Sequence, residues 1–264
     1  YVGGGFGGKV MDDNNTVIAA ALALKAGRPV RLINSREEDF LGGRPRVAMR
    51  IRLRMGFDRS GRVTAKQAWI IGDNGAYSGR GPALLMTASL RPDTAYQYSN
   101  VKVSSRLVYT NKVPTGSVRG FGLPHASWAI EQMMDIAAER LGMDPAEILR
   151  INGAVPGYVS PHGNRVTSCE LRQCIDRTVE EFGWEQRRAQ RRSGRGVGLA
   201  CGAHVSGKRQ VPDNDSSVAA ITVNDLGKVT VYLGEGEIGQ GLTTALAMIA
   251  AEAIGVPTSD VTVS

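Results

Sequence analysis

Val229-Thr230-Val231-Tyr232-Leu233-Gly234-Glu235-Gly236-Glu237-Ile238-Gly239-Gln240-Gly241-Leu242-Thr243-Thr244 decides how the rest of the chain is read. The alternation over 229–233 predicts a strand. A glycine-rich turn follows, and an apolar run over 245–254 continues at helical spacing. Strand, glycine turn and helix together have the layout of an anion site. Glycine lets the backbone approach a ligand closely. The first amides of a helix present free N–H groups and the positive end of the dipole. Gln240 adds a neutral side chain that both donates and accepts. Two other segments share this character, GGGFGGK at 3–9 and RGFGLP at 119–124. The expectation is three glycine-rich loops assembled around one large, anionic, polar ligand.

The chain has 264 residues, 42% hydrophobic and 22% charged, as in ordinary globular proteins. The formal net charge is +7. A basic balance permits nucleic-acid binding, but the arginines are spread over strands and aromatics make up only 6%, so no nucleic-acid partner is expected. The densest run, Arg187-Arg188-Ala189-Gln190-Arg191-Arg192, reads as a solvated helix end. The positive charge suits a phosphate-bearing cofactor or an acidic partner subunit. Cys169, Cys174 and Cys201 form neither a disulfide framework nor a CxxC pair, which fits a reducing cytoplasm. No stretch approaches about 18 apolar residues, so no membrane partner is expected. Tyr1 stands directly before a glycine loop and Ser264 stops inside a strand-like run, which predicts a piece of a longer polypeptide.

Along the chain, 16–26 predicts a helix with Val17, Ala20, Ala21 and Leu24 as its apolar stripe, stopped by Gly27. Residues 29–33 predict a buried strand. Ser35 with Glu38 forms a capping box. Residues 42–46, GGRPR, predict a turn with an exposed cation. Residues 49–57 and 63–71 flank Asp58-Arg59-Ser60-Gly61 as a hairpin, and 101–109 is another strand. A long helix over 125–141 carries Ala126, Ile130, Met133, Ala137 and Leu141 on one face and ends at Gly142. Asp144 and Glu147, with Pro145 at the first position, open a second helix, and 168–182 a third. Residues 156–164 form a Gly- and Pro-rich loop. Strands at 195–204 and 216–223 follow, with Asn224-Asp225-Leu226-Gly227 as a hairpin turn. Asp213-Asn214-Asp215 reads as a solvated turn and not a metal site. The fold class is α+β, mixed sheets with packed helices, in two regions with a boundary near 193. Strands followed by a glycine turn and a helix occur in both regions, which fits a duplicated architecture without a clear residue-level repeat.

Taken singly, the first loop is ambiguous. Gly3, Gly5 and Gly8 satisfy GxGxxG, but no strand precedes them and no acid follows at about twenty residues. Gly3, Gly8 and Lys9 have Walker A spacing, but Val10 replaces the Ser or Thr that ligates magnesium. Arg119, beside glycines, suits a phosphate or carbonyl.

Taken together and in order, GGGFGGK (3–9), SVRGFGLP (117–124, followed by a helix bearing Glu131) and EIGQGLTT (237–244) resemble the molybdenum-cofactor subunit of the xanthine dehydrogenase and aldehyde oxidase family of molybdenum hydroxylases. The resemblance runs over nearly the whole chain. It implies a molybdopterin-type fold, with residues 1–192 as a first molybdopterin-binding region and 193–264 as the start of a second. It implies a molybdenum–molybdopterin cofactor, in bacteria usually the cytosine dinucleotide, with [2Fe–2S] clusters and FAD on an iron–sulfur subunit and an FAD subunit, assembled as oligomers of heterotrimers. Such enzymes hydroxylate a carbon next to nitrogen or oxygen, or reductively dehydroxylate an aryl thioester as 4-hydroxybenzoyl-CoA reductase does. Carried over residue by residue, Gly5, Phe6 and Gly7 lie at the molybdenum end. Arg119 and Gly120 offer backbone near the metal, and Gly239, Gln240 and Gly241 hold the pyranopterin. No side chain ligates the metal. Phe121 lines the substrate side.

This sequence departs from the family pattern at two places. Purine oxidisers carry a glutamate directly after the lysine of the first loop, where this chain has Val10. They also carry a substrate-orienting arginine after paired glycines, a place Arg44 can match. A non-purine substrate is expected: an aromatic heterocycle, an aldehyde or an aryl-CoA thioester. The family's general base is a glutamate in a Gly-x-Gly-Glu setting. Gly234-Glu235-Gly236-Glu237 imitates that setting but precedes the Gly-Gln-Gly turn. The catalytic glutamate is therefore expected beyond Ser264, and these residues alone are expected to be inactive. The rival expectation is a cofactor-free binding or assembly module derived from the same family.

Overall fold

The computed structural model describes residues 3–9, 14–190, 193–204 and 217–264. It divides into two units, residues 14–205 and residues 1–13 with 206–264.

The larger unit is built on a three-stranded sheet. Strands β1 (Ala48–Phe57) and β2 (Val63–Asp73) pair antiparallel, and β3 (Val101–Val108) joins β2 in parallel. Helix α1 (Asn14–Ala26) and α2 (Arg36–Gly42) precede the sheet, and α3 (Gly81–Leu90) lies between β2 and β3. Four more helices follow: α4 (Leu123–Leu141), α5 (Pro145–Asn152), α6 (Leu171–Phe182) and α7 (Trp184–Ala189). The sheet's period of two sends Ala68 and Ile70 inward and leaves Arg50, Arg52 and Arg54 outside. The core joins Val63, Tyr96, Tyr98, Ile130, Met134, Ile148 and Leu149.

Local chemistry sets the helix ends. Ser35 Oγ accepts the Glu38 amide at 3.2 Å, and the Glu38 carboxylate accepts the Ser35 amide at 2.7 Å, completing the capping box of α2. Asp144 accepts the Ala146 amide at 2.8 Å at the start of α5, with Pro145 in the first turn. Gly142 closes α4 at φ 66°.

One inward position of β2 is not apolar. Lys66 is buried and pairs with the fully buried Asp93, which also meets His162 Nε2 at 2.8 Å. The Lys66 ammonium lies 5.0 Å from the Tyr98 ring centre. Burial pulls the Lys66 pKa below its ordinary value, and Asp93 opposes that shift.

The second unit repeats the sheet plan on a smaller scale. Strands β4 (Ala219–Val223) and β5 (Val229–Leu233) pair antiparallel, helix α8 (Leu242–Ile254) crosses over, and β6 (Val261–Val263) joins β5 in parallel. Its core is Val229, Val231 and Ala250 with Leu233, Val256, Val261 and Val263 around them. The two hairpin turns share the same backbone amide bonds. Asp58 Oδ1 accepts the amides of Ser60 and Arg62, and Asn224 Oδ1 accepts those of Leu226 and Lys228. Each turn closes on a glycine with positive φ, Gly61 at 82° and Gly227 at 74°. Each runs on as Gly-(Arg/Lys)-Val-Thr. The two sheets therefore share a residue-level repeat at their turns, contrary to the expectation of none.

Several elements differ from expectation. Residues 29–33 are not a strand: among the described residues no strand pairs with them, and Ile33 is exposed. Residues 195–204 carry no strand either. Their backbone is tied to α4, where the Glu131 carboxylate accepts the Cys201 amide at 2.9 Å. The stripe on α1 is not covered, since none of its residues is buried and Leu24 is 86% exposed. On α4, Met134 fills the core while Met133 is half-buried. Helix α3 is an addition to the expected elements, and α7 ends within the basic run, where a helix end is expected. Arg188 pairs with Asp144, and Arg187 lies over the Phe182 ring at 4.7 Å, so two cations of the basic run have internal partners. Arg191, Arg192 and residues 213–215 lie outside the described residues. The three cysteines are free. Among the described residues no helix is long and apolar enough to cross a membrane, and no group of His, Cys, Asp and Glu could hold a metal ion.

Candidate cofactor-binding loops

The turn over 234–241 is exposed throughout. Gly239 at φ 100° and Gly241 at φ 80° curl the backbone so that its amides converge. A carboxylate already sits on them. Glu237 accepts the amides of Gly239 at 2.7 Å, Gly241 at 3.1 Å and Thr243 at 3.2 Å. Backbone hydrogen bonds from Thr243 and Gly239 hold its carboxyl below the usual carboxylate range. Gln240 braces the same turn, accepting from the Ile238 amide at 2.7 Å and donating to the Gly236 carbonyl at 3.0 Å.

Residues 3–9 belong to the same unit. Phe6 adopts φ 47° and Gly7 φ 91°, and the Phe6 ring is 60% exposed. A left-handed phenylalanine is an uncommon backbone choice. It recurs at Phe121, φ 46°, between Gly120 at 93° and Gly122 at 86°. Gly5 is buried beneath its loop, and the Lys9 ammonium donates to the Gly4 carbonyl at 3.1 Å. Val10 lies outside the described residues.

The loop at 115–122 belongs to the larger unit and is tied to the strand-like segment before β1. Arg46 bridges to Gly116 in parallel, and the Gly116 amide donates to the Pro45 carbonyl at 3.0 Å. The Arg46 guanidinium donates to the Arg119 carbonyl at 2.7 Å. Arg44 packs so closely on Gly116 that a Cβ there would lie 2.8 Å from its own Cβ. Arg44 is half-buried, which corrects the expectation of an exposed cation. Gly122 has no room for a side chain, because a Cβ would meet the Leu84 carbonyl at 2.4 Å. The structure thus sets Arg44 against Gly116 and Arg46 on Arg119 in one unit, and the segments 3–9 and 234–241 belong to the second. Sequence reasoning passes over Arg46, whose role depends on a contact across 73 residues.

Within α4, Glu131 accepts the Tyr96 hydroxyl at 2.6 Å as well as the Cys201 amide, and burial raises its carboxyl pKa. Burial likewise pushes the Cys201 thiol up to about 11, which makes it a poor nucleophile.

The turn over 234–241 suits a ligand rich in acceptor atoms: its backbone is curled by glycines, it is fully exposed, and it already accepts an anion from its own chain. The chain belongs to the family of molybdopterin cofactor-binding domains: one model of that description matches residues 1–153 and a second matches residues 177–264. Its relatives include the putative xanthine dehydrogenase molybdenum-binding subunit XdhA of Escherichia coli (strain K12), 38% identical over all of this chain and 36% of that protein. The aldehyde oxidoreductase of Megalodesulfovibrio gigas is 30% identical over 96% of this chain and 28% of its own length. Among solved structures, quinoline 2-oxidoreductase from Pseudomonas putida 86 matches with a TM-score of 0.88 at 32% identity, covering all of this chain and 36% of that one. The chain therefore spans about a third of the length of these relatives. The expected resemblance and the mixed α and β fold are both borne out.

Proposed function

We propose that this chain forms the part of a molybdenum hydroxylase that holds the molybdenum end and the pyranopterin of its cofactor. Gly5, Phe6, Gly7, Arg119, Gly120, Gly239, Gln240 and Gly241 are the holding residues. The supporting observation is the Glu237 carboxylate on the amides of Gly239, Gly241 and Thr243. A turn that binds its own anion suits a phosphate- and carbonyl-bearing ligand. When bound, the molybdenum group supplies the redox chemistry. The backbone amides orient it without adding mobile charge. The cofactor form is the molybdopterin cytosine dinucleotide. The two binding regions divide near residue 193.

The reaction class is oxidative hydroxylation of an aromatic heterocycle or aldehyde, or reductive dehydroxylation of an aryl-CoA thioester. Phe121 and Arg44 are the substrate-side residues, and an aliphatic residue at position 10, where purine oxidisers carry a glutamate, favours a non-purine ring. Electrons leave through an iron–sulfur subunit and an FAD subunit in a cytoplasmic complex of heterotrimers. The printed functions of the aldehyde and quinoline enzymes above support the oxidative class on a non-purine substrate, and that of the xanthine relative supports the oxidative class alone.

One observation also favours a rival. A turn whose amides are already satisfied by Glu237 needs no ligand to hold its shape, as a cofactor-free assembly module would require. Elemental analysis with cofactor release on the full-length complex separates the two readings. Stoichiometric molybdenum with a cytosine dinucleotide supports the hydroxylase, whereas properly expressed protein without molybdenum refutes it in favour of the module.

A further inference from the structure

The outward face of the β1–β2–β3 sheet carries a grid of cations. The strand registers align Arg54, Gln67 and Lys102 in one row, Arg52, Trp69 and Ser104 in the next, and Arg50, Ile71 and Arg106 in the third. Side chains two apart on a strand stand roughly 6.8 Å apart, and neighbouring strands about 4.8 Å. The cations thus flank a central strand, β2, that shows a half-buried tryptophan and an exposed isoleucine on this face. Arg50, Arg54, Lys102 and Arg106 are exposed, and none forms an ion pair with a described residue. Asp73, at the end of the central strand, is already engaged by Lys112 at 2.7 Å and Thr110 at 2.5 Å. Much of the chain's +7 charge is therefore concentrated on one surface. Like charges placed side by side repel, so the fold alone gives no reason for the arrangement.

We propose that this face docks a carboxylate-rich surface of a partner protein. Arginine pairs with carboxylates in bidentate fashion, and Arg and Trp are the residue types that dominate the centre of protein interfaces. Arg54 and Lys102 also line one groove at the end of the sheet, with Gln67 between them and Asn100 in the same lining, which offers a seat for an acidic side chain. A single-stranded nucleic acid fits less well. Such ligands stack successive bases on several aromatic rings, whereas this grid has one ring, with the Arg52 guanidinium 5.4 Å from its centre. The inference is independent of the cofactor assignment.

The test uses the full chain with labelled polyglutamate as the probe, read by fluorescence anisotropy at low salt, and polyuridylate as the competitor class. The triple variant Arg50→Glu, Arg54→Glu, Lys102→Glu is expected to weaken polyglutamate binding at least about ten-fold. The control Arg59→Glu, Arg140→Glu, Arg172→Glu makes the same change in net charge at exposed sites elsewhere, and is expected to weaken it by less than about three-fold. Both variants are expected to melt within about 4 °C of the parent, the scale of a 1 kcal/mol change. Equal weakening by the two triples overturns the proposal, because binding would then follow bulk charge alone. Tighter binding of polyuridylate through the same three residues overturns it in favour of nucleic acid. Absence of binding, with Arg50 and Arg54 protected from phenylglyoxal, overturns it in favour of a face covered by further polypeptide.

Discussion

Arg46 reaches across 73 residues to place its guanidinium 2.7 Å from the carbonyl of Arg119. The glycine loop at 119–122 is thereby anchored to the segment that leads into β1, and its backbone is held in place by a side chain. A charged hydrogen bond of this kind contributes about 1.5–3 kcal/mol. Arg46→Ala is expected to lower stability by about 2 kcal/mol in urea unfolding, with an unchanged m value. Hydrogen exchange at residues 118–121 should rise with it. Unchanged exchange there would show that the anchor is dispensable.

Glu237 provides a pH test. Its folded-state pKa lies below 4.5 because backbone amides stabilise the charged form. A depressed carboxyl contributes stability above its unfolded pKa and loses it as pH falls through the folded value. Amide shifts of Gly239 and Gly241, followed by NMR, are expected to titrate with a midpoint below 4.5. Glu237→Gln is expected to abolish that titration while β5 and α8 remain formed. A midpoint at or above 4.5 would contradict the caged carboxylate.

Glu131 has the opposite sign. Burial raises its pKa, so the folded chain holds the proton more tightly than the unfolded chain. Stability is then expected to fall as pH climbs from about 4.5 through the folded value, and to level off above it. Glu131→Gln should remove that slope. Glu131→Leu leaves the Tyr96 hydroxyl and the Cys201 amide without an acceptor, at a cost of about 3 kcal/mol. Denaturant melts across the pH range measure both, and a slope surviving in Glu131→Gln would assign it to another group.

Two glycines separate backbone strain from steric contact. Gly142, at φ 66°, has open space where a methyl group would stand, whereas at Gly122, φ 86°, a Cβ would strike the Leu84 carbonyl at 2.4 Å. Gly142→Ala is expected to cost about 1 kcal/mol, the left-handed penalty alone. Gly122→Ala is expected to cost at least about 3 kcal/mol, since the backbone of α3 must also yield. Similar thermal shifts for the two variants would rule out the close approach of the 119–122 loop to α3.

Much of this architecture is legible in the chain because its signals are local. Ser35 with Glu38, Asp144 with Pro145, and the glycine turn before α8 each act within a few residues, and each stands where the sequence places it. The features that escape sequence reasoning are made by distant partners. Residues 29–33 have strand composition but no strand to pair with, and strand preference is largely a matter of such neighbours. Lys66 sits where alternation asks for an apolar residue, and only Asp93 and His162 make that position tenable. The loops at 3–9, 119–122 and 239–241 are recognisable from their glycines. Arg46 is not, because nothing near it in sequence points to Arg119.

The paired hairpin turns carry a consequence for how the chain acquires its structure. Asp58 and Asn224 each organise a turn before any distant segment is needed, and hairpins of this kind close in about 1–10 μs. The parallel strands β3 and β6 must wait for the intervening helix, α3 or α8, to be made. During synthesis each unit therefore has a template ready before its third strand arrives. The order of events is written twice into the same polypeptide, once around Gly61 and once around Gly227.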